Sequence, residues 1–228
     1  MKNGKPESRQ DGSVCRKKKE ETCCESYSQQ WNADACDRYR NLYAVDRTLQ
    51  RLGIDVIGLM LVHQPAGDYI HGYQLLEKAH KEGKIRSLGV SNFSESQIGK
   101  LLAVCEVKPA VVQVECHPYY PQTELRKLLN EQDIALEAWF PLGHGDKSLI
   151  NEPVFAELGR KYGKTPAQVI LRWHTQMGFV VIPGSKNVDH IKDNLDIQDF
   201  KLTDEEMAEI AKLDKGERYY HRTDEQLA

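Results

Sequence analysis

Five short clusters of chemically capable residues close five apolar runs. They are His63-Gln64-Pro65, Ser91-Asn92-Phe93, Glu115-Cys116-His117-Pro118, Trp139-Phe140-Pro141-Leu142-Gly143 and Pro183-Gly184-Ser185-Lys186-Asn187. Together they offer an imidazole, hydroxyls, amides, a carboxylate, an ammonium and a large aromatic face. That set suits a polar ligand with a flat ring: amides and hydroxyls fix its edges and the indole covers one side. Loop starts are often polar for solvation alone. Five such clusters, each where an apolar run stops, instead fit a site assembled at the ends of strands.

The runs that must position them are short and mostly apolar: VIGLMLV (56–62), RSLGV (86–90), VVQVE (111–115), IALEAW (134–139), FVVIP (179–183) and IQDF (197–200). Apolar on both faces, they read as parallel strands covered by helices. The intervening segments carry helix signals. SESQIGKLLAVC opens with Ser94 and Gln97 as a capping box and repeats apolar residues at Ile98, Leu101, Leu102 and Cys105. TPAQVILRWH has Thr165 as its cap and Pro166 at the first helical position. LTDEEMAEIAKL repeats the box with Thr203 and Glu206. Strands alternating with single helices predict an α/β fold with a parallel sheet. Six such units fall short of the eight of a closed (β/α)₈ barrel. An open doubly wound sheet is the runner-up, weakened because no G-x-G-x-x-G follows any strand.

The 228 residues are 40% hydrophobic and 29% charged, with net charge −3. That balance gives no reason to expect a nucleic acid or an anionic membrane as partner. No apolar run approaches the roughly 18 residues of a membrane span, and no signal peptide is visible. The expected location is the cytoplasm, with the cysteines as reduced thiols. The averages conceal a division near residue 42. Residues 1–40 hold Val14 as their one Ile, Leu, Val or Phe, with sixteen charged residues and four of the six cysteines. Such a stretch cannot offset its ordering entropy by burial. Residues 1–42 are therefore expected to be a disordered or aberrant segment, and 43–228 the packed domain. Cys15, Cys23, Cys24 and Cys36 lack the spacing of zinc knuckles, so no metal is expected.

Within 43–228, EGKIRSLGVSNF, VQVECHPYY, EAWFPLG, TPAQVILRW and VIPGSKN…IKDNL, preceded by RTLQRLGIDVIGLMLVHQP, resemble the aldo-keto reductase family in order and spacing. The resemblance implies an incomplete (β/α)₈ TIM-type barrel, about strands three to eight. It implies binding of NADP(H), with NAD(H) an alternative, and reduction of small aldehydes and ketones. His63 matches the histidine that orients and polarises the carbonyl. Ser91, Asn92 and Gln113 match the residues that hydrogen-bond the nicotinamide carboxamide, and Trp139 the aromatic that stacks on its ring. Pro141, Leu142 and Gly143 match the loop beside the pyrophosphate. Ser185, Lys186, His190, Asp193 and Asn194 match the stretch that holds the adenosine and its phosphate. Gly184 stands where a lysine is usual, and His190 where an arginine is common, which bears on the choice between NADPH and NADH. Phe140 replaces a commoner small residue.

The same resemblance implies a tetrad of aspartate, tyrosine, lysine and histidine. The lysine is expected about thirty residues before His63, yet no lysine lies between Glu20 and Glu77. ETCCESY, from Glu21 to Tyr27, does not reproduce the family's aspartate-to-tyrosine spacing. The expectation is a family member, oxidoreductase by lineage, whose carbonyl reduction is impaired. The alternatives are a catalytically dead nucleotide-binding or interaction protein, and a non-functional fragment. Substrate identity and oligomeric state are not encoded in these motifs.

Overall fold

The computed structural model describes residues 28–32 and 40–220, with side chains from Ala44 onward. In chain order the elements are β1 (Ser28–Asn32), α1 (Arg40–Leu52), β2 (Ile57–Gln64), α2 (Tyr69–Lys81), β3 (Ile85–Ser91), α3 (Glu95–Leu102), β4 (Val111–Glu115), α4 (Thr123–Glu131) and β5 (Ala135–Trp139). There follow α5 (Lys147–Ile150), α6 (Pro153–Tyr162), α7 (Pro166–Gln176), β6 (Val180–Val181), α8 (Val188–Leu195) and α9 (Asp204–Ala211). The strands form one sheet in sequence order, β1 to β6, and every pairing is parallel. Parallel neighbours in chain order, each joined through a helix, form the arc of a β/α barrel. Among the described residues this arc does not close.

The capping signals operate as the sequence predicts. Ser94 and Gln97, Thr165 and Gln168, and Thr203 and Glu206 each form a reciprocal box at the start of α3, α7 and α9. Helices α3 and α7 each bury one face: Ile98 and Leu101 from α3, and Val169, Ile170 and Trp173 from α7, join Met60, Val62, Leu88, Val90 and Val112 from the strands in one core. Gly89 is required where β3 passes β2 and β4. A Cβ there would stand 2.3 Å from Leu61 Cδ2 and 2.7 Å from the Val111 carbonyl oxygen.

One short strand is added within the first forty residues, and two expected strands are corrected. Ser28–Asn32 lies in the segment expected to lack structure, yet it is a strand, running from Ser28 opposite Leu59 to Asn32 opposite Gln64. Its ladder is made by backbone groups, so a polar sequence on the outside of a sheet can still pair. The rest of that segment, residues 1–27 and 33–39, lies outside the described residues, as do the cysteines at 15, 23, 24 and 36. The run 179–183 contracts to the two-residue β6. The run 197–200 is not a strand. Its neighbouring Asp196 carbonyl accepts the Gln168 side-chain amide at 2.9 Å, Ile197 is buried, and the Phe200 ring packs 5.1 Å from Tyr162. The apolar residues serve a loop clamped onto α6 and α7, so their alternation mimics a strand.

Candidate functional site

The C-terminal ends of β2, β3, β4 and β5 meet on one rim, because consecutive parallel strands share a direction and the register aligns their ends. Ser91 lies opposite Gln113, Gln113 opposite Glu137, and Glu115 opposite Trp139. The result is a cavity of about 290 Å³ lined by His63, Gln64, Ser91, Asn92, Gln113, Trp139, Phe140 and Tyr220. Five residues singled out in the sequence, His63, Ser91, Asn92, Gln113 and Trp139, are thus brought together.

Their polar groups are linked. Ser91 Oγ donates to Gln113 Oε1 at 3.4 Å. Asn92 Nδ2 donates to Ser91 Oγ at 3.1 Å and to the His63 carbonyl at 3.4 Å. Trp139 Nε1 donates to Asn92 Oδ1 at 3.0 Å, which fixes the plane of the indole. Gln113 Nε2 donates to Glu137. Burial pushes the Glu137 carboxyl above the usual carboxylate range, against the opposing pull of the Gln113 N–H. Asn92 holds φ at 63°, a left-handed conformation that asparagine tolerates better than most residues. Gln64 Oε1 is buried beside this network without a hydrogen-bond partner.

Two further cavities continue along the rim. One of about 280 Å³ is lined by Phe140, Pro141, Leu142, His144, Gly145, Ile182, Pro183 and Gly184. The next, about 390 Å³, is lined by Leu142, Ile150, Asn151, Thr165, Pro166, Ala167, Gly184, Ser185, His190, Asp193 and Asn194. Phe140 is shared by the first and second cavities, and Leu142 and Gly184 by the second and third. The three therefore form one discontinuous groove from His63 to α8. Gly143 does not line it. A Cβ on Gly143 would come within 3.2 Å of the Tyr219 ring, so this position admits the tail of the chain against the loop. Lys186 stands exposed one residue past Ser185 and is not part of the lining of the third cavity.

Some site residues escaped the sequence reading. Tyr220 reaches the first cavity from the far end of the chain, where its ring meets Trp139 edge-on at 5.9 Å. His144 stacks on Phe140 with ring centroids 3.6 Å apart, both residues in left-handed conformations. The Gly-His-Gly triplet after Pro-Leu was the available signal for His144; Tyr220 had none. Among the described residues no group of three or more His, Cys, Asp or Glu could hold a metal ion. No helix among them is long and apolar enough to cross a membrane.

Known proteins share this architecture. The Aldo/keto reductase family profile matches residues 5–215, reaching well before residue 43, where the motif resemblance was expected to begin. An aldo-keto reductase of Mycolicibacterium smegmatis is 41% identical over 191 residues, 82% of this chain and 68% of that protein. Glyoxal reductase of Bacillus subtilis is 43% identical over 201 residues, 88% of this chain and 72% of that one. A Bombyx mori aldo-keto reductase crystallised with NADP superposes with a TM-score of 0.81 at 30% identity, covering 87% of this chain and 71% of that chain. The chain thus spans roughly two thirds to three quarters of the length of these relatives. By profile, sequence and fold, it belongs to the aldo/keto reductase family.

Proposed function

We propose that this chain binds a nicotinamide dinucleotide, NADP(H) or NAD(H), along the groove, and that its reduction of small aldehydes and ketones is slow. The observation that carries the binding is the junction of three cavities whose chemistry changes in the order a dinucleotide requires. Amides and an indole come first, then a Pro-Leu loop with a histidine, then polar residues before and along α8. Ser91, Asn92 and Gln113 would hold the carboxamide. Its groups would replace the two 3.4 Å contacts, Ser91 to Gln113 and Asn92 to the His63 carbonyl, which are the longest in the network and so the weakest. Trp139, held in plane by Asn92, would cover one ring face. A bound reduced nicotinamide supplies a hydride. The chain's own part is to place the substrate carbonyl beside His63, whose N–H would polarise it. Gly184 and the exposed His190 support only a weak preference between the two dinucleotides.

Slow turnover is supported by what surrounds His63. β1, the strand beside β2, reads Ser-Gln-Gln-Trp-Asn, and no lysine occurs between Glu20 and Glu77. A tyrosine general acid activated by a lysine–aspartate pair is therefore not assembled from these positions. General-acid catalysis is worth about 10²–10⁴-fold. NADPH oxidation with a nitrobenzaldehyde, run beside His63→Ala, tests this: we expect turnover far below about 1 s⁻¹. Turnover near that value, abolished in the variant, overturns it. Occupancy of the groove without catalysis, as in a nucleotide-sensing protein, is the second reading, and the same residues favour it.

A further inference from the structure

Glu115 is an ionisable residue of the rim that the reading above leaves unused. It ends β4, is 3% exposed, and lies in register with Trp139. A carboxylate buried this deeply must be met by donors. Its Oε1 accepts the backbone N–H of Tyr219 at 2.6 Å and of Tyr220 at 3.3 Å, and Nε2 of His117 at 3.1 Å. A carboxylate oxygen can only accept, so the ring N–H facing Glu115 is on Nε2, while His117 Nδ1 is buried without a partner. Both amide donors thus come from a segment more than a hundred residues along the chain, not from the strand's own surroundings.

That segment crosses the rim as a strap. The Lys215 N–H is bonded to the Tyr119 carbonyl at 3.0 Å and the Lys215 ammonium sits 3.4 Å from the centre of the Tyr119 ring. Arg218 Nε donates to Tyr120 Oη at 3.1 Å. These ties hold the approach, but the turn into the cavity, at Tyr219 and Tyr220, is made at Glu115. There the Tyr220 ring becomes a wall of the cavity that contains His63 and meets the edge of Trp139.

We propose that Glu115 is a positioning residue: its carboxylate clasps the Tyr219 and Tyr220 amides, and so sets Tyr220 as the wall that confines the ring-binding cavity against Trp139. The part concerning ligand rests on the dinucleotide reading; the clasp itself does not. Amide exchange at Tyr219 and Tyr220, read by NMR, tests the clasp in the full chain without ligand. Glu115→Ala is expected to speed exchange of both amides about tenfold or more, and Glu115→Gln, which keeps an acceptor oxygen, to restore most of the protection. NADPH titration then tests positioning. Glu115→Ala and Tyr220→Ala should weaken binding by similar factors, and the double variant should be no weaker than either alone. Tyr220 is largely at the surface, so its variant remains informative even where Glu115→Ala fails to fold, and Glu115→Gln then carries the exchange comparison by retaining wild-type protection. Unchanged exchange in Glu115→Ala, or lost protection in Glu115→Gln, overturns the clasp. Exposed amides with unaltered NADPH affinity, or additive losses, overturn the positioning role. Failure of the unsubstituted protein to bind NADPH refutes the dinucleotide reading instead, and the exchange data still decide the clasp.

Discussion

The two ends of the groove are built on different physical terms. At the His63 end, Ser91 and Gln113 are 1% and 4% exposed, and their polar groups bond to one another, to Asn92 and to Glu137, while Asn92 in turn accepts the Trp139 indole N–H. At the other end, α8 contributes no buried residue, and Val188 and Leu195 are 64% and 77% exposed. A ligand meets fixed amides at one end and solvated side chains at the other. Preorganised groups bind without a further ordering cost, whereas flexible ones must be immobilised first. Recognition of the ring should therefore be a property of the folded core, and recognition of the far phosphate a property that surface substitutions can tune.

Protonation should break the first end most strongly. His174 lies fully buried behind it, with Nε2 3.0 Å from the Cys116 carbonyl and Nδ1 2.8 Å from that of Ile170. Burial pushes its pKa down to about 4, outweighing the two carbonyls that favour the cation. The unfolded chain then binds the proton more readily than the folded one. Stability from this group is complete above about pH 6.5 and is lost as pH falls toward about 4, a difference of about 3 kcal/mol. Urea unfolding at neutral pH and near pH 4.5 measures it, and His174→Gln should flatten the dependence.

Asn92→Val is next. It places a β-branched residue at φ 63° and removes the acceptor of Trp139 Nε1, with an expected loss of about 2 kcal/mol in the same assay. Gln64→Leu acts in the opposite direction: it removes the buried Oε1 that has no partner and should raise stability by about 1 kcal/mol. Leu195→Lys, on the exposed face of α8, should change stability by less than about 0.5 kcal/mol. A large effect there would erase the contrast between the two ends.

Much of this division could be read in the sequence where the signal was local. The capping boxes of α3, α7 and α9 depend on residues three apart, and the strand-end clusters at 91–93, 115–118 and 139–143 follow directly from short apolar runs. What escaped was non-local or imitative. β1 is polar and earns its place by pairing with β2. Ile197 is buried in a loop rather than a ladder, so period alone misassigned it. Tyr220 reaches the cavity through a bond to Glu115, 105 residues earlier, which no spacing rule encodes. Gln64 stood in view beside His63, but its lack of a partner exists only in three dimensions.

The central claim is that the ring-binding end is intact and governs dinucleotide binding. Titration of NADPH into the protein, with Gln113→Ala and His190→Ala in parallel, tests it most directly. Binding that Gln113→Ala weakens about tenfold or more, while His190→Ala changes it by no more than about threefold, is the predicted result. No binding by the unsubstituted protein, or a loss confined to His190→Ala, would contradict the account.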